Sequence, residues 1–197
     1  MNPINLIQGS DEWHRWRSTH INASEIDDLL ASPKTKKYKA LLQKKREGQQ
    51  GIWEVPEAKP WFDHGNRWES RAKDVYEAST GLTVRNVGCV VHPKYDFISC
   101  SPDGLVGIGG LEIKCRASWK EFVKAITEPI CRKYRAQIQM NMACTGLKRW
   151  DYMNLYRMED ERLVNGFIEV HEIRPIERDE KYIEMLLKKC CEFWEKV

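Results

Sequence analysis

Two acids and a lysine lie close together in the middle of the chain. Asp103 belongs to the segment 101–105 (SPDGL), while Glu112 and Lys114 belong to the segment 110–115 (GLEIKC). Carboxylate oxygens are good ligands for hard divalent metal ions, and a lysine beside them can orient a water molecule. Residues of these types at this spacing are suited to the metal-dependent hydrolysis of a phosphodiester.

The spacing also predicts how these residues meet. Side chains on a strand alternate between faces, so Glu112 and Lys114 share one face and Ile113 turns into the core. The segment 107–110 (GIGG) is a turn signal, and a hairpin that pairs position 107 with 110 sets Asp103 opposite Lys114 and diagonal to Glu112. Cross-strand neighbours lie about 5–8 Å apart, so both carboxylates reach a common ion. The alternative is a solvated strand face with an ion pair worth under about 1 kcal/mol.

The composition narrows the class of protein. A chain of 197 residues with 42% hydrophobic residues and eight Trp suits one domain, 1–197, with a substantial core. The sequence has no run of 18 apolar residues and no signal peptide, so we expect a cytoplasmic protein that does not contact membranes. Its seven Cys contain no C-x-x-C pair, which indicates buried thiols in a reducing compartment.

Basic residues are concentrated just after the candidate site. Residues 110–150 carry nine basic and three acidic residues. A track for nucleic-acid phosphates has this pattern, and so do ordinary solvated helix faces. The same two interpretations apply to the cluster Lys34, Lys36, Lys37 and Lys39.

The elements that must position these residues form an alternating pattern. Hydrophobic periodicity and capping signals predict helices at 11–17, 24–31, 36–47, 61–80, 117–127, 130–145 and 178–196. Strands are predicted at 82–91, 96–101, 103–106, 111–115, 149–157 and 163–171. Ser10 is the expected cap of the first helix and Ser24, with Asp27, of the second. The order favours an α/β fold with a central mixed β-sheet flanked by helices.

Six short blocks, in order, resemble the phage lambda exonuclease and YqaJ-type viral recombinase family, within the PD-(D/E)xK nuclease superfamily. The blocks cover 9–17, 21–26, 65–69, 101–104, 111–115 and 134–139. The resemblance spans roughly residues 9–157. It implies a restriction-endonuclease-like core and a single exonuclease domain that degrades double-stranded DNA 5′→3′ and leaves a 3′ overhang. It also implies phage or prophage origin, a ring-shaped homotrimer and a single-strand annealing protein as partner.

The resemblance assigns the metal chemistry to named residues. Asp103 and Glu112, with the backbone carbonyl of Ile113, are the implied ligands of two Mg²⁺ ions, for which Mn²⁺ substitutes. Lys114 is implied to position the attacking water and offset transition-state charge, or simply to neutralise the two acids.

Two further residues match the family near the metal. Glu69 is implied to reach the metal site through water, whereas an isolated helical glutamate is more often a surface residue. Gln137 is implied to orient active-site groups or water, and packing support is the alternative.

The resemblance also implies a pocket for the 5′-terminal phosphate, made by Arg17, Ser24, Ser101 and the nearby Asn22. Guanidinium and hydroxyl groups are suitable phosphate donors. Lys120 takes the place of a family Arg, so it keeps the charge but loses the planar fork.

Trp61 and Phe62 precede the Glu69 helix, where the family places an apolar residue that wedges the duplex end apart; core packing is the alternative.

Two other functions stay open. One is an endonuclease of the same superfamily, which would cut closed circular DNA. The other is a DNA-end-binding protein without chemistry.

Overall fold

The computed structural model describes residues 1–54 and 60–197, and their side chains except those of Asn2 and residues 60–66. The helices are α1 (Asp11–Ser18), α2 (Ile26–Leu29), α3 (Lys36–Gln49), α4 (Pro60–Thr80), α5 (Trp119–Thr127), α6 (Arg132–Thr145) and α7 (Glu180–Trp194), with a 3-10 turn at Ala23–Glu25. The strands are β1 (Asn2–Ile4), β2 (Ile21–Asn22), β3 (Val84–Arg85), β4 (Cys89–Val91), β5 (Ile98–Cys100), β6 (Gly104–Val106), β7 (Gly109–Arg116), β8 (Arg149–Glu159) and β9 (Phe167–Glu177). None of the helices in the described part of the chain is both long and apolar enough to cross a membrane.

The strands form two mixed sheets rather than one. The first has the order β1-β4-β5-β2, and the second has the order β3-β6-β7-β8-β9. The pairs β2–β5 and β7–β8 are parallel and the other pairs are antiparallel. The predicted α/β class with mixed sheets and flanking helices is confirmed, and the segment 101–103 connects one sheet to the other.

Helix α6 lies at the centre of the larger core. Its residues from Ala136 to Thr145 are all buried. A helix that is buried on all sides needs partners for its polar side chains, because an unpaired buried polar group is costly. A smaller core packs α4 against β7 and β8 through residues such as Tyr76, Leu111 and Met153. The two cores hold β7 between α4 and α6.

The β6–β7 hairpin differs from its predicted register. Val106 pairs with Gly109 and Gly104 with Leu111, so the expected pairing of 107 with 110 is wrong by two residues. The turn is formed by Gly107, which has a φ of +50°, and Ile108. A shift of two residues keeps each side chain on its face, since strand side chains alternate with period two.

Two helix starts and ends differ from the sequence expectations. Helix α3 continues through Gly48 to Gln49, and position 48 needs glycine because a Cβ there would collide with the backbone carbonyl of Ser18, against which the helix packs. Ser24 is not a cap, since it lies inside the 3-10 turn whose capping box is formed by Asn22 and Glu25. The predicted cap Ser10 of α1 is present, and Gly146, in the left-handed conformation, ends α6.

Candidate active site

The β6–β7 hairpin brings Asp103 and Glu112 together. The Asp103 Oδ2 atom accepts a hydrogen bond from the Ile113 backbone N–H at 2.6 Å, which fixes its carboxylate beside β7. Continuing the β6–β7 register places Asp103 opposite Glu112, not opposite Lys114 as the assumed turn had it. Asp103, Glu112 and Lys114 therefore converge as predicted, but the cross-strand neighbour of Asp103 is Glu112 instead of Lys114.

The Glu112 carboxylate is buried and held from three sides. Its Oε1 atom accepts hydrogen bonds from the Lys114 ammonium at 2.5 Å and from the Gln137 amide at 2.6 Å. Its Oε2 atom accepts from the Asn141 amide at 3.1 Å. Because Gln137 and Asn141 are one helical turn apart on α6, the buried helix itself orients the acid. Gln137 therefore touches the site, and Asn141 is a contact that the sequence interpretation missed.

Burial and mutual repulsion both act on the acids. Burial and the neighbouring Glu112 carboxylate, with a smaller contribution from Glu69, raise the pKa of Asp103 to about 8. Burial disfavours the Lys114 ammonium, but Glu112 and Asp103 outweigh it and raise the pKa of Lys114 above its ordinary value. Burial, with smaller contributions from Glu69 and Asp103, raises the pKa of Cys115 to about 12.

Glu69 lies on α4 close enough to act electrostatically on Asp103. Its Oε1 atom pairs with the Lys73 ammonium at 2.9 Å, and its side chain is 34% exposed. The structure thus places Glu69 at the edge of the acid group, paired with Lys73 and within electrostatic reach of Asp103.

The donor set fits a hard divalent cation. Within the described residues, no three acidic, cysteine or histidine side chains form a metal-binding cluster by themselves. Mg²⁺ does not require such a cluster, because it keeps several waters and is usually bound by one or two carboxylates. Glu112 uses three of about four lone-pair positions on its protein partners, which leaves one for a cation. Burial and the Glu112 carboxylate, which raise the pKa of Asp103, disfavour its charged form, and a bound cation would offset this.

A second polar group surrounds the guanidinium of Arg17. Its Nη2 donates to the Ser24 hydroxyl at 2.8 Å and its Nη1 to the Ser101 hydroxyl at 3.4 Å. The indole of Trp13 also donates to Ser101, at 3.0 Å, and its ring packs 4.3 Å from the guanidinium carbon of Arg17. Ser101 is two residues before Asp103, so this group and the acids adjoin.

The other two predicted phosphate ligands, Asn22 and Lys120, do not present free donors beside the Arg17 guanidinium. Asn22 is fully buried; its amide donates to the carbonyls of Arg17 and His20 and to Glu25, and its oxygen accepts from Ser99. It supports the last turn of α1 rather than facing a ligand. Lys120 is exposed in the first turn of α5, and among the described residues no hydrogen bond or ion pair joins it to Arg17.

The four lysines that could contact the DNA backbone differ in their surroundings. Lys37 is paired with Asp27 at 2.6 Å, whereas Lys34, Lys36 and Lys39 are exposed or partly exposed on or near α3. The side chains of Trp61 and Phe62 lie outside the described residues. The sequence interpretation gave Trp13 no role, although its position in the first family block marked it.

The chain is similar to a known family and to solved structures over most of its length. The family model for the YqaJ-like viral recombinase domain matches residues 12–148. Two crystal structures of LHK-Exo are similar at 27% identity over 95% of this chain and 92% of theirs: an alkaline exonuclease from Laribacter hongkongensis, TM-score 0.76, and its complex with dAMP, TM-score 0.78. A phage related exonuclease from Haemophilus somnus 129PT shares the fold, with 14% identity over 90% of this chain and 92% of that chain, and a TM-score of 0.66. No curated protein sequence gives a significant match.

Proposed function

The chain belongs to the YqaJ-like viral recombinase family, and from this premise we propose that it is a Mg²⁺-dependent exonuclease. It digests one strand of double-stranded DNA 5′→3′ from a 5′-phosphorylated end and leaves a 3′ single strand. The observation that carries this proposal is the convergence of Asp103, Glu112 and Lys114 beside the Arg17 group. The similarity to LHK-Exo, an alkaline exonuclease solved with dAMP, supports a deoxynucleoside monophosphate as product.

The site residues divide the chemistry among them. Asp103 and Glu112, with the carbonyl of Ile113, would hold two Mg²⁺ ions, for which Mn²⁺ would substitute. Bound Mg²⁺ supplies Lewis-acid activation of water and neutralises charge on the phosphate. Lys114 keeps two N–H donors after its bond to Glu112, and these orient the attacking water and stabilise the charge that develops on the phosphoryl oxygens. Gln137 and Asn141 keep Glu112 in place, and Glu69 acts through water.

The Arg17 group gives the enzyme its polarity. Arg17, Ser24 and Ser101 converge, and a terminal phosphate held there would receive donors from all three. An end that lacks the phosphate would forgo the hydrogen bonds and the charge attraction of the Arg17 guanidinium. We therefore propose that the enzyme starts at 5′-phosphorylated ends.

The biological setting follows the family. We propose that the overhang is taken up by a single-strand annealing protein during phage-type recombination in the cytoplasm of a bacterial host. A ring-shaped homotrimer would enclose the duplex, with Trp61 and Phe62 separating the strands at its entrance and Lys120 touching the backbone. Analytical ultracentrifugation of the purified protein with and without duplex tests the trimer.

The central experiment uses one linear duplex labelled at either the 5′ or the 3′ end of the same strand. We expect immediate release of the 5′ label as a mononucleotide and late release of the 3′ label, with Mg²⁺ and not with EDTA. Glu112→Ala should bind the duplex without degrading it. The matched control is Glu192→Ala, an exposed glutamate of α7 whose loss should change nothing.

Three results would contradict the proposal in different ways. Cutting of closed circular DNA would indicate an endonuclease of the same superfamily. Metal-independent binding of duplex ends with no hydrolysis under any divalent metal would indicate an end-binding protein. Hydrolysis by Glu112→Ala at the wild-type rate would reject the assigned site.

A further inference from the structure

A buried ion-pair group lies directly behind the Arg17 guanidinium. The Glu25 carboxylate accepts from the Lys45 ammonium at 2.7 Å and from the Lys44 ammonium at 2.9 Å. Lys45 is fully buried, and it also donates to the backbone carbonyl of Arg17 at 2.8 Å. The amide of Asn22 donates to the same carbonyl and to Glu25, so the last turn of α1 and the turn that carries Ser24 are fixed by one network.

This group carries a surplus of positive charge. Three cations, Arg17, Lys44 and Lys45, interact with Glu25, and together they hold the pKa of Glu25 far below its usual value although burial opposes this. Burial lowers the pKa of Lys45 to about 8, which leaves the ammonium protonated at neutral pH. Through the described residues, the ion pairs of this group include no second acid. Within this group, three positive charges and one negative charge leave a surplus of two.

Arg17 and Lys44 face the same open cleft. Both line a cleft of about 1740 Å³, together with Trp13 and His14. Burial, Arg17 and Lys44 all lower the pKa of His14, so the two cations act on one region of the cleft. Lys44 is 48% exposed and uses one N–H on Glu25, so it has donors available for a ligand. Glu25, Glu47, Glu54 and Glu69 also line the cleft. Glu25 is paired with Lys44 and Lys45 and Glu69 with Lys73, whereas Glu47 accepts a hydrogen bond from the neutral Gln43 amide.

We propose that Lys44 is a further cationic ligand of the DNA 5′-terminal phosphate, and that the Glu25–Lys45 pair is a positioning element for Lys44 and Arg17. The surplus of two charges matches a terminal phosphomonoester, which is dianionic at neutral pH, better than an internal phosphodiester, which carries one charge. The group therefore selects strand ends over continuous backbone. This inference rests on the proposed function in that the ligand is the end of a DNA strand.

The test is a charge series at one DNA end. Three otherwise identical duplexes end in a 5′-phosphate, a 5′-methylphosphate and a 5′-hydroxyl, and their affinities are measured in EDTA so that no turnover occurs. Wild type should bind them in that order of decreasing affinity. Lys44→Met should lower the phosphate-to-hydroxyl affinity ratio about tenfold, as loss of one charged hydrogen bond predicts. It should leave the affinity for the hydroxyl end within about twofold.

Two variants make the result specific to Lys44. Lys44→Arg keeps the charge and should retain the ratio within about threefold. Lys189→Met removes a lysine that is 49% exposed and also paired with one glutamate, on α7, and should retain the wild-type ratio. Lys44 is half exposed, so Lys44→Met should fold, and its melting temperature verifies this.

The outcomes separate this inference from the proposed function. An unchanged ratio in Lys44→Met, or an equal loss of affinity for all three ends, overturns the role of Lys44. Equal wild-type affinity for phosphate and methylphosphate ends overturns the charge match. If wild type shows the charge series but hydrolyses no DNA with Mg²⁺, the nuclease proposal fails and the phosphate site stands.

Discussion

Replacing Asp103 with asparagine should stabilise the metal-free protein while abolishing its activity. Burial and the nearby acids raise the pKa of Asp103 to about 8, against about 3.9 in an unfolded chain. Below pH 4 both states hold the proton, so the group does not affect stability. Between about pH 4 and pH 8 the unfolded state releases the proton and the folded state keeps it, so stability falls as pH rises. Asp103→Asn does not titrate and escapes this loss.

The size of the effect follows from the shift. Each pKa unit corresponds to about 1.4 kcal/mol, and four units give an upper limit near 5–6 kcal/mol at pH 8 or above. Asp103 is partly accessible to solvent and is coupled to Glu112, which reduces the expected difference to about 2–4 kcal/mol. The free energy of unfolding of Asp103→Asn should therefore exceed that of wild type at pH 8 and match it near pH 4.

Urea denaturation in EDTA at pH 4, 6 and 8 measures this difference, and repetition with Mg²⁺ completes the experiment. At a Mg²⁺ concentration of 100 times Kd, wild type should gain about 2.7 kcal/mol and Asp103→Asn much less. Asp151→Asn is the control for removing a different buried carboxylate. Asp151 lies on the neighbouring strand, where it accepts a hydrogen bond from Tyr76. If Asp103→Asn is less stable than wild type at pH 8 without metal, the argued repulsion among the acids is incorrect.

Three other changes have defined outcomes. Asn141→Ala should lower kcat about tenfold with little change in KM for DNA, because Asn141 orients Glu112 without reaching substrate; steady-state kinetics would contradict this by showing a KM effect alone. Arg17→Ala should remove the preference for 5′-phosphate over 5′-hydroxyl ends, and an unchanged ratio of digestion rates would argue against the pocket. Gly110→Ala should destabilise the protein by about 1–3 kcal/mol, because its Cβ would collide with the Trp150 indole; an unchanged denaturation midpoint would mean that the indole moves freely.

The hairpin shows what the sequence determines and what it leaves open. Alternation fixed the shared face of Glu112 and Lys114, and the glycines located the turn approximately. Gly107, Gly109 and Gly110 are each able to adopt a positive φ, so the turn could have begun at either of two positions. Packing decides between them, because Gly110 must lie under Trp150 where no Cβ fits, and that contact comes from β8, some 40 residues later.

The Glu25–Lys45 pair, in contrast, could not be predicted from the sequence. Lys44 and Lys45 belong to the run 41–47 (LLQKKRE), which is typical of a solvated helix face. Lys45 is nevertheless fully buried, because α3 packs on α1 and its partners Glu25 and the Arg17 carbonyl come from distant turns. No periodicity identifies such a residue, since only the tertiary partner distinguishes a buried lysine from its exposed neighbour.

The Arg17 group and the acids Asp103 and Glu112 are joined by a single short segment of chain. Ser101 contacts Arg17 and Asp103 contacts Ile113, and two residues of extended chain separate them by about 7 Å. The segment 101–103 crosses from one sheet to the other, so its length is fixed by both cores. On the proposed function, a strand whose terminal phosphate is held at Arg17 would present the next phosphodiester to the acids, which would tie end recognition to removal of one nucleotide at a time.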